Sequence, residues 1–354
     1  MINSSRNYHQ MSIWIFFNAL MVFMMVAIGG ITRLTDSGLS MTDWNFFSGM
    51  IPPVSDRDWI ILFEEYKRYP EFNLINYDMT MSEFKKIFFW EYLHRMWGRL
   101  IGLTFFLPLL FFVFKGFVSK KLGVIFTFIL GLGCLQGFMG WYMVSSGLID
   151  RPDVSQYRLA AHLGLAFLIY TLLIFIGWSL FQKNSVSLIQ NKCKQKHLFK
   201  HFVFSYFLLF ITIISGAFVA GTKSGLIYNS FPLMGANLYP DDIFTLTPFW
   251  LNFFENMSTI QFNHRALATI TCIFILYTVF RELRRQPAGY YKIMLKLLLF
   301  FILLQYLLGI TAVIHAVPFV IGITHQIGGL INLTLITLII SEIIKRNYSF
   351  TQKL

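Results

Sequence analysis

The chain alternates long apolar segments with shorter polar ones along its whole length. Eight of the apolar segments come close to or exceed the roughly 20 residues that an α-helix needs to cross a bilayer. Because lipid offers no water to backbone amides, helix is the expected form of each segment. The predicted spans are residues 11–31, 88–114, 122–144, 159–181, 202–220, 260–280, 294–313 and 318–344.

Composition narrows the class of protein. Hydrophobic residues make up 56% of the 354 residues, and charged residues make up 13%. That leaves too little polar surface for a soluble protein of this length. The sequence therefore predicts an all-α integral membrane protein with eight transmembrane helices.

The loop charges predict the orientation. Lysine and arginine collect at the amino terminus, in the loops after the second, fourth and sixth spans, and in the carboxyl-terminal tail. The long loop on the opposite face, residues 33–90, has more acids than bases. The positive-inside rule then places both termini in the cytoplasm, with an uncleaved first span. Since this asymmetry explains the net charge of +12, we predict no nucleic-acid partner.

An internal repeat organises the chain. The first and fifth spans end in GGITRLTDSGL and GAFVAGTKSGL, and the second and sixth open with YLHR and FNHR. The third and seventh share Leu-Gln with a glycine at the same distance, and the fourth and eighth contain AAHLG and ITHQIGG. These matches predict two tandem pseudo-symmetric four-helix bundles, residues 1–181 and 201–354, joined by a basic cytoplasmic linker at 182–200.

Four histidines, His94, His162, His264 and His325, lie on even-numbered spans within one or two turns of their outer ends. A single intramembrane histidine is usually explained by a hydrogen bond between helices, but four at one depth need a shared explanation. Two imidazoles facing each other inside a four-helix bundle form an axial pair for haem iron. Zinc is the competing interpretation, although no cysteine or acidic cluster completes a zinc site in the second half. We therefore predict two haem sites.

Three arginines accompany these histidines, and we count all three as candidate cofactor-binding residues. Arg95 and Arg265 each follow a histidine at the outer interface, where haem propionates would need cationic partners. The alternative is that their side chains extend to lipid head groups. Arg99 lies one turn deeper, so we expect it to have a buried partner.

One acidic residue distinguishes the halves. Glu91 precedes His94 by three residues and shares its helix face, whereas Gln261 takes that position before His264. A carboxylate there could transfer a proton or stabilise a cationic intermediate during oxidation. The alternative is a salt bridge with Arg95 or Arg99.

Two further features leave alternatives open. The loop 33–90 contains Trp44, Trp59, Tyr66 and Tyr69, which could form a lid over the first site or an interfacial aromatic belt. Small residues near the histidines could admit a flat macrocycle or serve ordinary helix packing. These small residues are Gly98, Gly102, Gly164, Gly328 and Gly329.

Several segments together carry a family resemblance. GGITRLTDSGLSMTDW, EFKKIFFWEYLHRMWGRLIG, LQGFMGWYMVSSGL, RLAAHLGLA, NHRALA and THQIGG closely resemble haem A synthase of the mitochondrial and alphaproteobacterial type. The resemblance covers about residues 21–344. It implies an oxidoreductase in the bacterial cytoplasmic (inner) membrane, which converts a pyrrole methyl of haem o to a formyl by successive hydroxylations. The product would be haem a for cytochrome oxidase.

The resemblance also implies roles for the residues. His264 and His325 would ligate a permanent haem b. His94 and His162 would flank haem o as substrate and haem a as product, and Glu91 would act with them in catalysis. Relatives usually have a Lys-Pro sequence where this chain has Asn45-Phe46-Phe47. The resemblance therefore does not predict the conformation of this part of the loop.

The implied partners are haem o with molecular oxygen or water, and a ferredoxin-type electron donor. Haem O synthase, cytochrome oxidase assembly factors and further copies of the chain in a homo-oligomer are also expected partners. Two other functions stay open from the residues. A diheme b-type electron-transfer protein would use the same histidines without needing Glu91, and a transporter would use them as proton relays or substrate ligands.

Overall fold

A computed structural model of the protein describes residues 2–42, 48–147, 154–182 and 196–348. Within these ranges, eight helices are long and apolar enough to cross a membrane, which confirms the predicted all-α class and number of spans. They are α1 (Ile2–Leu34), α4 (Met81–Phe114), α5 (Lys120–Gly147), α6 (Gln156–Gln182), α7 (Lys196–Gly221), α9 (Met257–Leu283), α10 (Gly289–Ile314) and α11 (Phe319–Tyr348). Three short helices lie between them: α2 (Asp56–Tyr66), α3 (Pro70–Leu74) and α8 (Asn252–Glu255).

The same set of helix contacts occurs twice. Helix α1 packs against α4 and α6, and α5 packs against α4 and α6; α7 packs against α9 and α11, and α10 packs against α9 and α11. Between the two sets, α6 contacts α7 and α11, and α1 contacts α11. Helices α4, α5 and α10 are mostly exposed along their apolar stretches, as expected of helices that face lipid. Most of the predicted linker, residues 183–195, lies outside the described residues.

The main apolar core fills one end of the helix bundle. It contains Met11 of α1, Phe112 of α4, Phe126 of α5 and Phe202 of α7, all close to the end where α1 begins. The matching parts of α6, α9, α10 and α11 supply the rest, with Leu180, Val279, Leu295 and Ile339 among them. The opposite end, where α1 finishes and α4 begins, contributes little to this core. We call it the histidine end, since it contains the four histidines predicted to bind haem.

The first long loop folds into a compact cap at the histidine end. Met41, Phe63, Tyr66, Phe84 and Phe88 form a second apolar cluster, against which Trp59 also packs. The loop aromatics Trp59 and Tyr66 therefore pack within the cap, and Trp44 lies outside the described residues.

The cap also explains why α4 begins earlier than residue 88, the predicted start of its span. Thr80 caps this helix reciprocally with Glu83, whose carboxylate accepts the Thr80 amide at 2.9 Å. The two added turns belong to the cap, because Phe84 and Phe88 point into the second cluster.

The second long loop, residues 222–256, is also ordered by buried polar groups. The Asn252 side chain accepts from the Leu246 amide at 2.8 Å and donates to the Leu246 carbonyl at 2.8 Å. Asn256 donates to the Asp242 carbonyl at 2.9 Å and caps α9 at the Thr259 amide. These contacts of Asn252 and Asn256 hold the second long loop against the start of α9.

Candidate functional site

The four histidines lie at the histidine end, away from the main core. His94 is on α4, His162 on α6, His264 on α9 and His325 on α11, each in the first half of its helix. All four residues have intermediate solvent exposure although they lie among packed helices. Few residues of the main core lie at the histidine end, so there is room for a bound group beside the histidines.

The second pair has the spacing of two axial ligands. The ring centroids of His264 and His325 are 6.5 Å apart, with their planes at 85°. Two imidazoles that bind one metal ion from opposite sides, through bonds of about 2 Å, have centroids roughly 6 Å apart. The geometry therefore fits an ion, such as haem iron, placed between these two rings.

Each histidine ring lies against a glycine on a neighbouring helix. A Cβ atom at any of these glycines would come within 3.2 Å of the imidazole Cε1 atom, which is closer than ordinary packing allows. At Gly309 the distance is 2.9 Å, so a larger residue would require a shift, and at the other three the ring would have to give by a few tenths of an ångström. The pairs are Gly29 with His94, Gly140 with His162, Gly216 with His264 and Gly309 with His325.

Glutamine side chains contact one histidine of each pair. Gln136 donates to the carbonyl of His162 at 3.1 Å and lies 3.2 Å from the ring nitrogen Nε2. Gln305 donates to the carbonyl of His325 at 2.9 Å and lies 3.2 Å from Nδ1. The repeated Leu-Gln motif of the sequence thus positions both histidines on α6 and α11.

Glu91 lies in a buried ion pair with Arg95. Its carboxylate is 2.5 Å from the Arg95 guanidinium, and it accepts from the Ser40 hydroxyl at 2.7 Å and the Met41 amide at 2.8 Å. Arg95 also donates to the Met41 carbonyl at 2.9 Å. Glu91 is 3% exposed, so these contacts occur away from water. The salt-bridge alternative is therefore confirmed for Arg95, and the pair fastens the first long loop to α4.

The second half uses the matching residues differently. Gln261 donates to the Tyr228 carbonyl at 3.0 Å, and Arg265 donates to the same carbonyl at 2.7 Å. Tyr228 occupies the position of Met41 when the two SGL motifs are aligned. In each half, two residues of one helix bind the backbone of the matching loop residue, and we call this contact the loop clamp. Among the described residues, its helix side chains include a carboxylate in the first half, whereas the second half has the amide of Gln261.

The arginines bind loop carbonyls in the structure. Arg99 donates to the Gly49 carbonyl at 3.5 Å, and Arg265 donates to the Ser230 carbonyl at 2.8 Å in addition to Tyr228. Contact of these arginines with haem propionates stays a prediction.

The five glycines noted near the histidines in the sequence differ in their surroundings. Gly164 faces the Ile214 side chain, Gly328 faces Gln305, and Gly102 faces open space. The glycines that touch the histidines were missed. The repeat aligns all four, Gly29 with Gly216 and Gly140 with Gly309, but it does not show their contact with the histidines.

The donor set favours haem over zinc. Within the described ranges, no group of three or more His, Cys, Asp or Glu side chains is positioned to hold one ion. Zinc sites use three or four protein ligands, whereas haem iron needs two axial ligands and supplies its own equatorial nitrogens. Two histidine pairs without further donors therefore fit haem. The fold defines a multi-pass membrane protein with two pairs of histidines at one end of its helix bundle.

Comparison with known proteins identifies the family of this chain. The model of the cytochrome oxidase assembly protein family, COX15-CtaA, matches residues 12–337, and the chain belongs to this family. A protein named Heme A synthase from Nitrosospira multiformis is 43% identical over 323 residues, covering 91% of this chain and 90% of that one. Heme A synthase COX15 from Bos taurus is 42% identical over 326 residues, covering 90% and 78%. Heme A synthase from the Wolbachia of Brugia malayi is 42% identical over 318 residues, covering 89% and 91%.

Proposed function

We propose that the protein is a haem A synthase, a membrane oxidoreductase that oxidises a pyrrole methyl of haem o to a formyl and releases haem a. Membership of the family and the names of the relatives support this function. The observation that carries it is the asymmetry of the two sites. Both have paired histidines on a repeated frame, but only the first has a buried carboxylate, Glu91, one turn from a histidine.

His264 and His325 hold the permanent haem b in this proposal. The 6.5 Å between their ring centroids suits one iron between them, and Gly216 and Gly309 give both rings their space. Haem b held by two histidines supplies one-electron transfer. His264 and His325 would hold this haem, and Gln261 in place of Glu91 leaves the site without the carboxylate proposed to act in oxidation.

The first site takes haem o as its substrate. His94 and His162 flank it, and Gly29 and Gly140 leave space for the two rings. Two successive hydroxylations of the methyl, followed by loss of water, give the formyl of haem a. Glu91 places a negative charge one helical turn from His94, where it stabilises positive charge that develops during oxidation or accepts a proton. Arg95 and the Ser40 hydroxyl keep the carboxylate in place.

The proposal includes the remaining partners and the location. If molecular oxygen supplies the oxygen atom, a ferredoxin-type donor would supply two electrons for each hydroxylation through haem b, and the second oxygen atom would leave as water. If water supplies it, each hydroxylation would instead release two electrons, which haem b would pass to an acceptor. The chain lies in the bacterial inner membrane with both termini in the cytoplasm, as its basic loops predict. Haem O synthase delivers the substrate, assembly factors of cytochrome oxidase receive the product, and the protein forms a homo-oligomer.

Expression in cells that make haem o tests this function. Haems extracted from the purified wild type should include haem b together with haem a or a hydroxylated haem o. Glu91→Ala should retain haem b and lose the conversion. If wild type yields haem b alone while the cells contain haem o, the oxidation is wrong and the diheme electron-transfer function replaces it.

A further inference from the structure

The Nδ1 atoms of the two matching histidines have different surroundings. His264 Nδ1 lies 2.8 Å from the hydroxyl oxygen of Ser215 on α7. His94 Nδ1 is buried and has no hydrogen-bond partner among the residues that the structure describes. A buried imidazole N–H that makes no hydrogen bond destabilises the position of its ring, whereas a hydrogen bond stabilises it. The two histidine rings should therefore differ in how firmly they are held.

The Ser215 hydroxyl sets the direction of its bond to His264. Its oxygen lies 2.7 Å from the carbonyl of Thr212, which can only accept, so the hydroxyl can donate to that carbonyl and remain an acceptor for His264. The serine oxygen then accepts the proton of His264 Nδ1. This fixes the tautomer with its lone pair on Nε2, the form that binds a metal ion.

The repeat explains why His94 lacks this contact. Alignment of Ser37-Gly38-Leu39 with Ser224-Gly225-Leu226 places Ile28 opposite Ser215, each just before the glycine that touches a histidine. An isoleucine side chain has no hydrogen-bonding atom. The two halves therefore share the glycine contact and differ in the residue that could hold Nδ1.

We propose that Ser215 is a positioning residue that makes His264 a firm axial ligand, and that Ile28 leaves His94 an exchangeable one. This rests on the proposed function, in which the second site retains its haem while the first must admit haem o and release haem a. A hydrogen bond from the distal ring nitrogen to an acceptor raises the basicity of a ligating imidazole and fixes its orientation. Loss of such outer contacts typically lowers metal affinity about 10- to 100-fold.

The test uses the purified full-length protein loaded with haem b. Haem transfer to excess apomyoglobin measures the dissociation rate, and a redox titration measures the midpoint potential. Ser215→Ala should accelerate loss of haem b about tenfold or more and raise the midpoint potential, because a less basic imidazole stabilises ferric iron less. Ser215→Thr should restore both values, since it keeps the hydroxyl.

Ser205→Ala is the matched control. Ser205 is also buried on α7, but its hydroxyl has no hydrogen-bond partner among the described residues. This variant should release haem b at the wild-type rate. In the first half, Ile28→Ser should slow the release of haem from the His94 site without changing haem b.

Several outcomes would overturn the proposal. Equal transfer rates and potentials for wild type and Ser215→Ala would do so, as would a Ser215→Thr variant that behaves like Ser215→Ala. An Ile28→Ser variant with unchanged release would overturn the part about His94. Failure of haem o conversion, with haem b bound and sensitive to Ser215, would reject the proposed function and leave the role of Ser215 intact.

Discussion

The two halves of the molecule place their polar groups at different points of the same frame. In the first half, Glu91 and Ser40 place a carboxylate and a hydroxyl beside the loop residue Met41, while His94 Nδ1 has no hydrogen-bond partner among the described residues. In the second half, Gln261 and Ile227 stand at the matching clamp positions, and the hydroxyl of Ser215 lies against the histidine instead. A repeat can thus keep its ligands in place and change function through the residues around them.

The largest effect is expected from removing the charge that distinguishes the halves. Glu91→Gln replaces the carboxylate by an amide, as in Gln261 of the second half. The negative charge that stabilises positive charge during oxidation is then lost. The rate of haem o oxidation should fall roughly 100-fold or more, as measured by mass analysis of extracted haems. Haem b content should remain at the wild-type level.

The reciprocal variant is the control for that comparison. Gln261→Glu places a carboxylate near the Tyr228 carbonyl, which repels it, and should reduce haem b occupancy without creating a second oxidising site. A Glu91→Gln enzyme that converts haem o at the wild-type rate would show that Glu91 serves only as the buried partner of Arg95.

A moderate effect is expected from the glycine contacts. An added Cβ at Gly309 would lie 2.9 Å from His325 Cε1, so the imidazole must turn away from its axial orientation. Gly309→Ala should lower haem b occupancy about tenfold, measured by pyridine haemochrome spectra. At Gly140 the distance to His162 Cε1 is 3.2 Å, and Gly140→Ala should weaken the first site less.

Gly133 on α5 provides the control for the glycine variants. A Cβ there meets no other atom within 4 Å among the described residues. Gly133→Ala should therefore leave both haems unchanged. Equal haem loss in Gly133→Ala and Gly309→Ala would mean that helix distortion, and not contact with the imidazole, causes the loss.

The smallest effect concerns the acids of the two long loops. Hydrogen bonds from Ser55 lower the pKa of Asp58 below its ordinary value of 3.8, and hydrogen bonds from Ser258 and then Tyr228 lower that of Asp242. A carboxylate with a lowered pKa stabilises the folded loop above its unfolded-state pKa, and this stability is lost as the pH falls through the folded-state value. Both loops should thus loosen slightly below about pH 4.

The two acids should differ in what they affect. Asp58 caps the short helix α2, whereas Asp242 accepts from Tyr228, whose carbonyl is clamped by Gln261 and Arg265. Asp242→Asn should therefore slightly accelerate loss of haem b and remove the part of its acid sensitivity that comes from this carboxylate, as followed by Soret absorbance from pH 3 to 7. Asp58→Asn should leave haem b release unchanged. Equal effects of the two variants would contradict a link between Asp242 and the second site.

The sequence was sufficient to predict the transmembrane spans and to single out the four histidines. Eight apolar segments leave helix as the available spanning form, and the repeat identifies His94 with His264 and His162 with His325. The partner of Glu91 was predicted as one of two choices, since both Arg95 and Arg99 lie within reach on α4. The structure selected Arg95, because the loop residue Met41 brings its backbone to that pair.

The contacts between helices were beyond reach of the sequence. Gly140 and Gly309 were noted as markers of the repeat, yet their contact with the histidines depends on how closely α5 approaches α6 and α10 approaches α11. Ser215 looked like an ordinary small residue in an apolar helix. Its role depends on its distance to His264, which the packing of α7 against α9 determines, together with a hydrogen bond to Thr212 within α7.

The division of work between the two histidine pairs is tested most directly by identifying the haems that each pair retains. The double variants His94→Ala with His162→Ala and His264→Ala with His325→Ala would be purified from cells that make haem o, and their haems would be identified by mass. The first variant should contain haem b alone, and the second should lack haem b and form no haem a. Haem b lost from the first variant and kept in the second would contradict the assignment of the permanent haem to the second half.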